Sequence, residues 1–202
     1  MESTCMARVV VEGPCVYFPD GACGAFNPMF PGGNHGGSYP ACKFTYIDRT
    51  GRVLTKDRFD FARNFPEGLA PVRVGTQWGF IDKTGAMVVS PRFEDAEPFA
   101  SGLSRIRDHR LYGYADKTGS VRIKTQFKYA EDFSDGLAVV GDGDSLYWYI
   151  DNQGGKTIPG EFADASPFFK GLANVRLLES DVVKAKAQYA YIDKTGRRVF
   201  TY

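Results

Sequence analysis

The chain has almost no net charge, only two histidines and no long apolar run. Lys and Arg number 25 against 24 Asp and Glu, a formal net charge of +1 over 202 residues. This balance argues against nucleic acid or an anionic membrane as a general partner, because both attract a concentrated excess of basic residues. No stretch approaches the roughly 18 apolar residues of a transmembrane helix, so we expect no membrane insertion.

Cysteine is missing from the sequence after its first 43 residues, a segment that also holds 7 Gly and 5 Pro. The four residues are Cys5, Cys15, Cys23 and Cys42. They fit reduced thiols, which we favour, or two disulfides of unknown pairing. A zinc site is the weakest alternative, because no two cysteines have close ligand spacing and only His35 is nearby.

The N-terminal residues lack the pattern of a signal peptide. After Arg8 only three valines precede Glu12, Gly13 and Pro14, whereas the apolar part of a signal peptide has about 7–15 residues. We therefore expect no export signal and favour the cytoplasm. The segment 1–43 is predicted to be a cap or a degenerate repeat, with a strand near residues 8–11.

From residue 44 onward the sequence repeats itself. The repeats can be counted from five aspartates, spaced 34, 34, 35 and 42 residues apart: Asp48, Asp82, Asp116, Asp151 and Asp193. The first four are each followed by Gly at +3, Phe at +11, Ala at +14, Phe at +17 and Gly-Leu at +20 and +21. Such a period indicates an array of one supersecondary unit stacked on itself.

Each repeat is predicted to contain three short strands. In the second repeat, residues 78–81 and 87–89 are aromatic and β-branched, and residues 82–85 form a hairpin turn between them. The turn aspartate is expected to accept bonds from N–H groups two and three residues on, and Gly85 to adopt a positive φ, as Gly119 does in the next repeat. After the connector comes a third strand, in which Ile106 faces inward and Arg107 outward.

The connector between the second and third strands does not show the alternation of apolar and polar residues that is typical of a strand. In the second repeat Phe93, Ala96 and Phe99 stand three residues apart. This spacing favours a 3₁₀-like or helical turn that ends at Gly102, with the two phenylalanines in the core.

The best repeat reads Gln-Trp-Gly-Phe-Ile-Asp-Lys-Thr-Gly over residues 77–85, with Phe-Glu-Asp-Ala at 93–96 and Phe-Ala-Ser-Gly-Leu at 99–103. Residues 44–202, about four fifths of the chain, resemble the bacterial WG (or KWG) repeat family. Three units depart from the name-giving pair, with Thr45, Trp148 and Ala190 in place of its glycine. The resemblance implies a stacked β-repeat used in recognition, and it supplies no catalytic motif.

We therefore predict an all-β protein of stacked three-stranded meanders. Four full repeats and a partial one cover residues 44–202, and an open solenoid or superhelix is the favoured form. A small β-propeller is the alternative, because three or four short strands per repeat also make thin blades.

One aromatic residue opens each repeat, and this column is the first candidate binding surface. Its members are Phe44, Trp78, Tyr112, Tyr147 and Tyr189. Stacking would align them as platforms for sugar rings or a peptide, with Trp78 and Tyr112 as the leading residues. The interpretation that we favour is that each ring fills the core between successive repeats.

Arg73, Arg107 and Arg176 form the second candidate surface. They follow the inward residues of three third strands and are predicted to lie in a row that can bind carboxylates or phosphates bidentately. Pairing with nearby acidic residues is the more common role of such arginines, and Gly141 interrupts the row.

Signs of catalysis and of cofactor binding are sparse. His35 and His109 lie in predicted loops away from any nucleophile pattern, and no phosphate-binding glycine motif follows a strand. Residues 142–145 are acidic but lack the later ligands of a calcium loop, so they are predicted to be a hairpin tip. We expect neither an enzyme nor a cofactor or metal site.

These features favour a non-catalytic interaction module with a protein partner. The alternative is a carbohydrate or cell-envelope binder, in which the aromatic column would be exposed. Residues 179–188 lengthen the last repeat interval, and such insertions often lie on a binding face.

Overall fold

The computed structural model describes residues 7–12, 43–47, 53–55, 57–178 and 188–202. The four cysteines, His35 and residues 179–187 of the predicted insertion lie outside these ranges. The described part of the chain contains strands and turns but no helix. The strands are β1 (Ala7–Glu12), β2 (Lys43–Ile47), β3 (Phe61–Ala62), β4 (Leu69–Val74), β5 (Gln77–Asp82), β6 (Met87–Phe93), β7 (Asp95–Ala96), β8 (Leu103–Asp108), β9 (Leu111–Asp116), β10 (Val121–Phe127), β11 (Tyr129–Ala130), β12 (Ala138–Gly141), β13 (Tyr147–Ile150), β14 (Asp164–Ala165), β15 (Leu172–Arg176), β16 (Tyr189–Asp193) and β17 (Arg198–Thr201).

The described strands form five small antiparallel sheets in which neighbours in sequence are neighbours in space. The first sheet pairs β1 with β2, the second runs from β3 to β6, and the third from β7 to β10. The fourth contains β11 to β13 and the fifth β14 to β17. The predicted all-β class and the repeated meander are therefore confirmed, and the strand predicted at residues 8–11 is β1.

The chain divides into two compact units, residues 1–93 and 94–202. The first unit contains the first and second sheets. Its core consists of buried side chains from β2 to β5 and from the connector before β3. They are Tyr46, Phe59, Ala62, Ala70, Val72 and Ile81.

The second unit contains the third, fourth and fifth sheets, which share two apolar cores. Val140 and Ile150 of the fourth sheet pack with Tyr114 and other residues of the third. Their chain neighbours Val139 and Tyr149 pack on the opposite side, with residues of the fifth sheet. Because side chains alternate along a strand, the fourth sheet is buried on both faces. Within this unit the repeats are thus stacked sheet on sheet.

The turn aspartates organise the hairpins as the sequence indicates. Asp82 Oδ1 accepts hydrogen bonds from the backbone N–H groups of Thr84 at 2.8 Å and Ala86 at 3.1 Å, and from the Thr84 hydroxyl at 2.6 Å. The N–H group three residues on, that of Gly85, donates to the Asp82 backbone carbonyl at 3.0 Å. Gly85 and Gly119 have φ values of 86° and 85°, which confirms the positive φ predicted for both.

The prediction of a helical turn in the connector is wrong. Asp95 and Ala96 form the short strand β7, which pairs with β8, and the Ala96 partner is Ile106. A reciprocal pair of backbone bonds joins Ala100 and Leu103 across a two-residue turn. Phe93 and Phe99 are nevertheless buried, as predicted. Backbone hydrogen bonds to β8 satisfy the N–H and C=O groups of the connector. A helical turn would not present these groups to β8.

The glycine of the Trp78–Gly79 pair has a steric role. Opposite it, β6 bulges, since Trp78 pairs with Phe93 but Phe80 already pairs with Val89. A Cβ atom on Gly79 would lie 2.3 Å from the Val89 carbonyl oxygen. Gly113 meets a similar bulge in β10, with the Ile123 oxygen at 2.6 Å. The glycine is therefore required only where the next strand bulges toward it.

Candidate interaction surface

Trp78 and Tyr112, the leading residues of the aromatic column, pack within their own units. Trp78 is only 5% exposed, and its ring meets Phe61 edge-on at a centroid distance of 5.7 Å. The Arg63 guanidinium carbon lies 4.5 Å from the Trp78 ring centroid. Tyr112 is half-buried, with the Arg105 guanidinium carbon 5.6 Å from its ring centroid. Ligand stacking on either ring stays a prediction, and on Trp78 it would require a rearrangement.

The three arginines of the predicted row are half-buried and engaged locally. The Arg73 guanidinium lies 5.8 Å from the Phe61 ring centroid. Arg107 Nε is 3.8 Å from a carboxylate oxygen of Glu94. Arg176 donates a 3.0 Å hydrogen bond to the Ala163 carbonyl. Each arginine thus contacts a neighbouring ring, carboxylate or carbonyl group of this chain. A role for the row in ligand binding stays a prediction.

Arg105 forms an ionic cluster that the sequence analysis missed. Its guanidinium donates to the Ala130 carbonyl and lies 3.3 Å from Asp132, 3.5 Å from Glu97 and 3.8 Å from Glu131. Burial opposes the charge, but the three carboxylates outweigh it and raise the pKa of Arg105. The cluster joins β8 to the connector of the fourth sheet. The other repeats have uncharged residues at this position: Pro71, Val139 and Asn174.

His109 lies at a turn tip, as predicted. His109 and Arg110 have φ values of 48° and 64°, which are unusual for residues other than glycine. Their backbone N–H groups donate to the two carboxylate oxygens of Glu94, at 3.1 and 3.2 Å. Glu94 thus holds a strained tip in place, and this accounts for the turn without invoking a ligand.

The hydroxyl and amide donors of the turns also affect the charge of their aspartates. In the last turn, the Thr195 hydroxyl and then the backbone N–H of Thr195 and the groups of Arg197 lower the pKa of Asp193 to about 2. The same kind of bonding, led by the threonine hydroxyl, lowers the pKa of Asp82 and Asp116. These bonds stabilise the ionised carboxylate.

We expect Asp193 to titrate near pH 2 in the folded protein. Because the folded pKa is lowered, the turn stabilises the fold fully above the ordinary aspartate pKa, and this contribution is lost as the pH falls toward 2. NMR titration of the side-chain carboxyl carbon measures the midpoint. The Thr195→Val variant serves as a control and should raise it. An ordinary midpoint in the wild type would contradict the turn geometry.

In three of the four full repeats a tyrosine anchors the next connector, and the second repeat has Phe80 at this position. The hydroxyls of Tyr46, Tyr114 and Tyr149 donate to the carbonyls of residues 63, 131 and 166, at 2.6, 2.7 and 2.8 Å. Each acceptor lies 17 residues after its tyrosine. Burial raises the pKa of Tyr114 and Tyr149, so both hydroxyls remain protonated donors. This face of a sheet is therefore the one that the following connector covers.

In the fifth sheet the equivalent face is exposed. Arg176 pairs with Tyr189, and the Tyr189 ring stacks on Tyr202 at 5.6 Å. Tyr191 pairs with Phe200, and both rings lie within about 6 Å of the Tyr202 ring. Directly opposed residues share a face of the sheet. We call these five residues, Arg176, Tyr189, Tyr191, Phe200 and Tyr202, the aromatic face.

Exposure distinguishes the aromatic face from its counterparts. Tyr191 is 39% exposed, whereas Tyr114 and Tyr149 are fully buried. Phe200 is 60% exposed, whereas the corresponding Ile123 and Ile158 are at most 3% exposed. Large exposed apolar patches on folded proteins commonly mark binding sites. The aromatic face is therefore the best candidate for an interaction surface among the described residues.

We expect Tyr114→Phe to destabilise the protein by about 1 kcal/mol, because it leaves the part-buried carbonyl of residue 131 without this donor. Tyr191→Phe is the matched control at the same repeat position, and since Tyr191 is exposed it should cost less than about 0.5 kcal/mol. Denaturant unfolding of both variants measures the difference. Equal stabilities would show that the hydroxyl bond does not hold the connector.

Comparison with known proteins identifies the family to which the repeat belongs. A family model described as WG containing repeat matches residues 44–75, 78–109, 112–144 and 149–178. The chain belongs to the WG-repeat family. A crystal structure at 1.35 Å resolution of a protein of unknown function from Bacteroides caccae is similar to it, with 18% identity over 81% of this chain and 75% of that one and a TM-score of 0.34. No curated protein matches the chain.

The WG repeats also form a shallow cleft at a place where two repeat positions hold residues different from the usual ones. Trp148 occupies the glycine position of the WG pair, and Gly141 the arginine position. With Phe127, Lys128 and their neighbours they line a cleft of about 290 Å³. Lys156 Nζ lies 5.7 Å from the Trp148 ring centroid. The cleft is slightly smaller than the pockets of about 300–1,000 Å³ that usually bind small molecules.

Two further geometric findings bear on the function of these WG repeats. The acidic stretch at residues 142–145 is a hairpin tip, as predicted, and Asp142 Oδ1 accepts the backbone N–H groups of residues 144, 145 and 146 at 2.9 to 3.2 Å. No helix in the described part of the chain is long and apolar enough to cross a membrane.

Proposed function

We propose that this WG-repeat protein is a non-catalytic interaction module that binds a protein partner. The observation that carries the proposal is the aromatic face, where three tyrosines, a phenylalanine and an arginine lie together on an exposed sheet. Tyrosine, phenylalanine and arginine are enriched in protein interfaces, where rings bury a large area at a small cost in conformational entropy. In the first, third and fourth sheets the tyrosine on the equivalent face packs internally.

A polar rim supports this proposal. Asn174 donates a 2.8 Å hydrogen bond from Nδ2 to the Tyr202 hydroxyl, which fixes that ring beside its neighbours. Arg176 is held by the Ala163 carbonyl at the same edge. Anchored side chains lose less freedom on binding than mobile ones, so a preorganised face favours a specific partner.

Co-purification from the native host tests the proposal. The wild-type protein is expected to retain a host protein that the folded variant Tyr191→Ala/Phe200→Ala fails to retain. Val121→Ala is the control, because Val121 is also exposed, at 47%, but lies on β10 of the third sheet and not on the aromatic face. Failure of the wild type to retain any protein would contradict the function.

Carbohydrate binding is the second candidate, and the Trp148 cleft favours it. A half-exposed indole next to polar groups can stack on a sugar ring, although the cleft offers one such ring rather than a ladder. Tryptophan fluorescence during titration with cell-envelope oligosaccharides tests this candidate. A response that Trp148→Ala abolishes would support it, whereas no response would leave the protein partner as the proposal.

A further inference from the structure

We propose that the aromatic face binds a connector-like segment, with Phe-x-x-Ala-x-x-Phe spacing, from a different protein in which this segment lies outside any folded repeat. The inference rests on the proposed function and specifies the chemistry of its partner. The inference follows from the first, third and fourth sheets, in which a connector of this chain covers the equivalent face.

The covering segment makes the same ring contacts each time. In the fourth sheet, Tyr149 meets Phe168 edge-on at 4.8 Å and Phe162 at 5.9 Å. Tyr46 likewise meets Phe65 at 4.8 Å and Phe59 at 6.4 Å. The two phenylalanines of a connector thus enclose one tyrosine.

The third sheet repeats the arrangement, since Tyr114 meets Phe133 at 4.8 Å. In all three cases the tyrosine hydroxyl also donates to the carbonyl of the residue that follows the connector alanine. Two rings and one carbonyl at fixed spacing are therefore what this sheet face recognises.

The fifth sheet retains the recognising side of this contact. Tyr191 occupies the tyrosine position and is exposed. Phe200 replaces the Val89, Ile123 and Ile158 of earlier repeats and adds a ring. The sheet is covered on its other face, where Ala173 and Ile192 pack with Tyr149. An incoming connector would thus meet a preformed surface on a supported sheet.

A second copy of this chain is the less suitable occupant. Each of its four connectors begins with a phenylalanine that is already buried in its own structure: Phe59, Phe93, Phe127 and Phe162. To supply one of them, the second copy would have to unfold part of its core. A connector-like segment that is not folded into a repeat of its own carries no such cost, so we assign the face to a different protein that presents such a segment.

The test uses a synthetic peptide with the sequence of residues 159–178, which contains the fourth connector and its third strand. The full chain is titrated with this peptide, and binding is followed by calorimetry and by the NMR signals of Tyr191. The control peptide has Ser at both connector phenylalanines, positions 162 and 168. Circular dichroism checks that each protein variant is folded.

We expect the peptide to bind the wild type and the control peptide to bind at least about tenfold more weakly, because the rings supply the buried contact. Tyr191→Ala should weaken binding by a similar factor. Tyr191→Phe should weaken it by about fivefold, since it removes one hydrogen bond and keeps the ring. Val121→Ala, on β10 of the third sheet, should leave the affinity unchanged.

Three results would overturn the inference. They are no binding up to about 1 mM peptide, equal binding to the wild type and Tyr191→Ala, and self-association that Tyr191→Ala abolishes. If the peptide fails but a host protein still co-purifies, the proposed function stands and only the assignment of the partner is lost. If no protein co-purifies and the peptide binds, the assignment of the face stands without the proposed function.

Discussion

Phe168→Ala is expected to destabilise the protein by about 4 kcal/mol. Phe168 is fully buried in the core shared by the fourth and fifth sheets, and its ring packs edge-on against Tyr149 at 4.8 Å. Truncation removes the transfer free energy of the ring and leaves a cavity, which together cost about 3–5 kcal/mol for a buried phenylalanine. Denaturant-induced unfolding measures the loss.

The next residue in the chain supplies the control. Phe169 is 71% exposed, so Phe169→Ala should change the free energy of unfolding by less than about 0.5 kcal/mol. Phe99→Ala, at the position equivalent to Phe168 in the second repeat, should behave like Phe168→Ala, since Phe99 is buried too. Similar small losses at all three positions would mean that connectors do not close the repeat cores.

Gly79→Ala should cost about 3 kcal/mol or more, although it adds one methyl group. The new Cβ would lie 2.3 Å from the Val89 carbonyl oxygen and 2.7 Å from the Pro91 nitrogen. Both are backbone atoms of the bulged strand and cannot rotate away, so the sheet must distort. Thermal unfolding of the variant measures the effect.

Ala190 provides the matched comparison for Gly79. It has the same position in the fifth sheet, where β17 pairs in direct register with Ala190 opposite Thr201. A methyl group is therefore accommodated, and Ala190→Gly should cost only about 1 kcal/mol, through lost packing and added chain entropy. A Gly79→Ala variant as stable as the wild type would show that the bulge can relax.

The period and turn chemistry were enough to predict the hairpins. A turn between Asp82 and Gly85 is a local device, because a carboxylate satisfies nearby N–H groups and only glycine adopts the positive φ at small cost. Phe93 and Phe99 were also predicted to be buried, since a phenylalanine kept in every repeat matches the need of each repeat to close its core.

The connector was mispredicted because residue spacing does not fix the backbone. Phe93, Ala96 and Phe99 would share a face of a helical turn, but an irregular strand directs them into the core as well. What decides between the two is the pairing of Ala96 with Ile106, a contact between residues in different segments. Hydrogen-bond partners supplied by tertiary structure override a local spacing pattern.

The aromatic face was predicted only in part, since Arg176 and Tyr189 were candidate binding residues but Tyr191, Phe200 and Tyr202 were not. In sequence, Tyr191 occupies the same position as Tyr114 and Tyr149, and residue type does not show which of the three is covered. One signal was present, since Phe200 stands where Val89, Ile123 and Ile158 stand in earlier repeats. The Arg105 cluster had a similar signal, a charged residue at a position that is otherwise uncharged.

The most direct test of the aromatic face as the binding surface is hydroxyl-radical footprinting of the protein with its purified partner. The structure predicts that partner binding strongly protects Tyr191 and Phe200 from oxidation, while the exposed Met87 of the second sheet remains as reactive as in the free protein. Unchanged oxidation of Tyr191 and Phe200, together with protection of Trp148, would contradict the account and place the binding surface at the cleft of the fourth sheet.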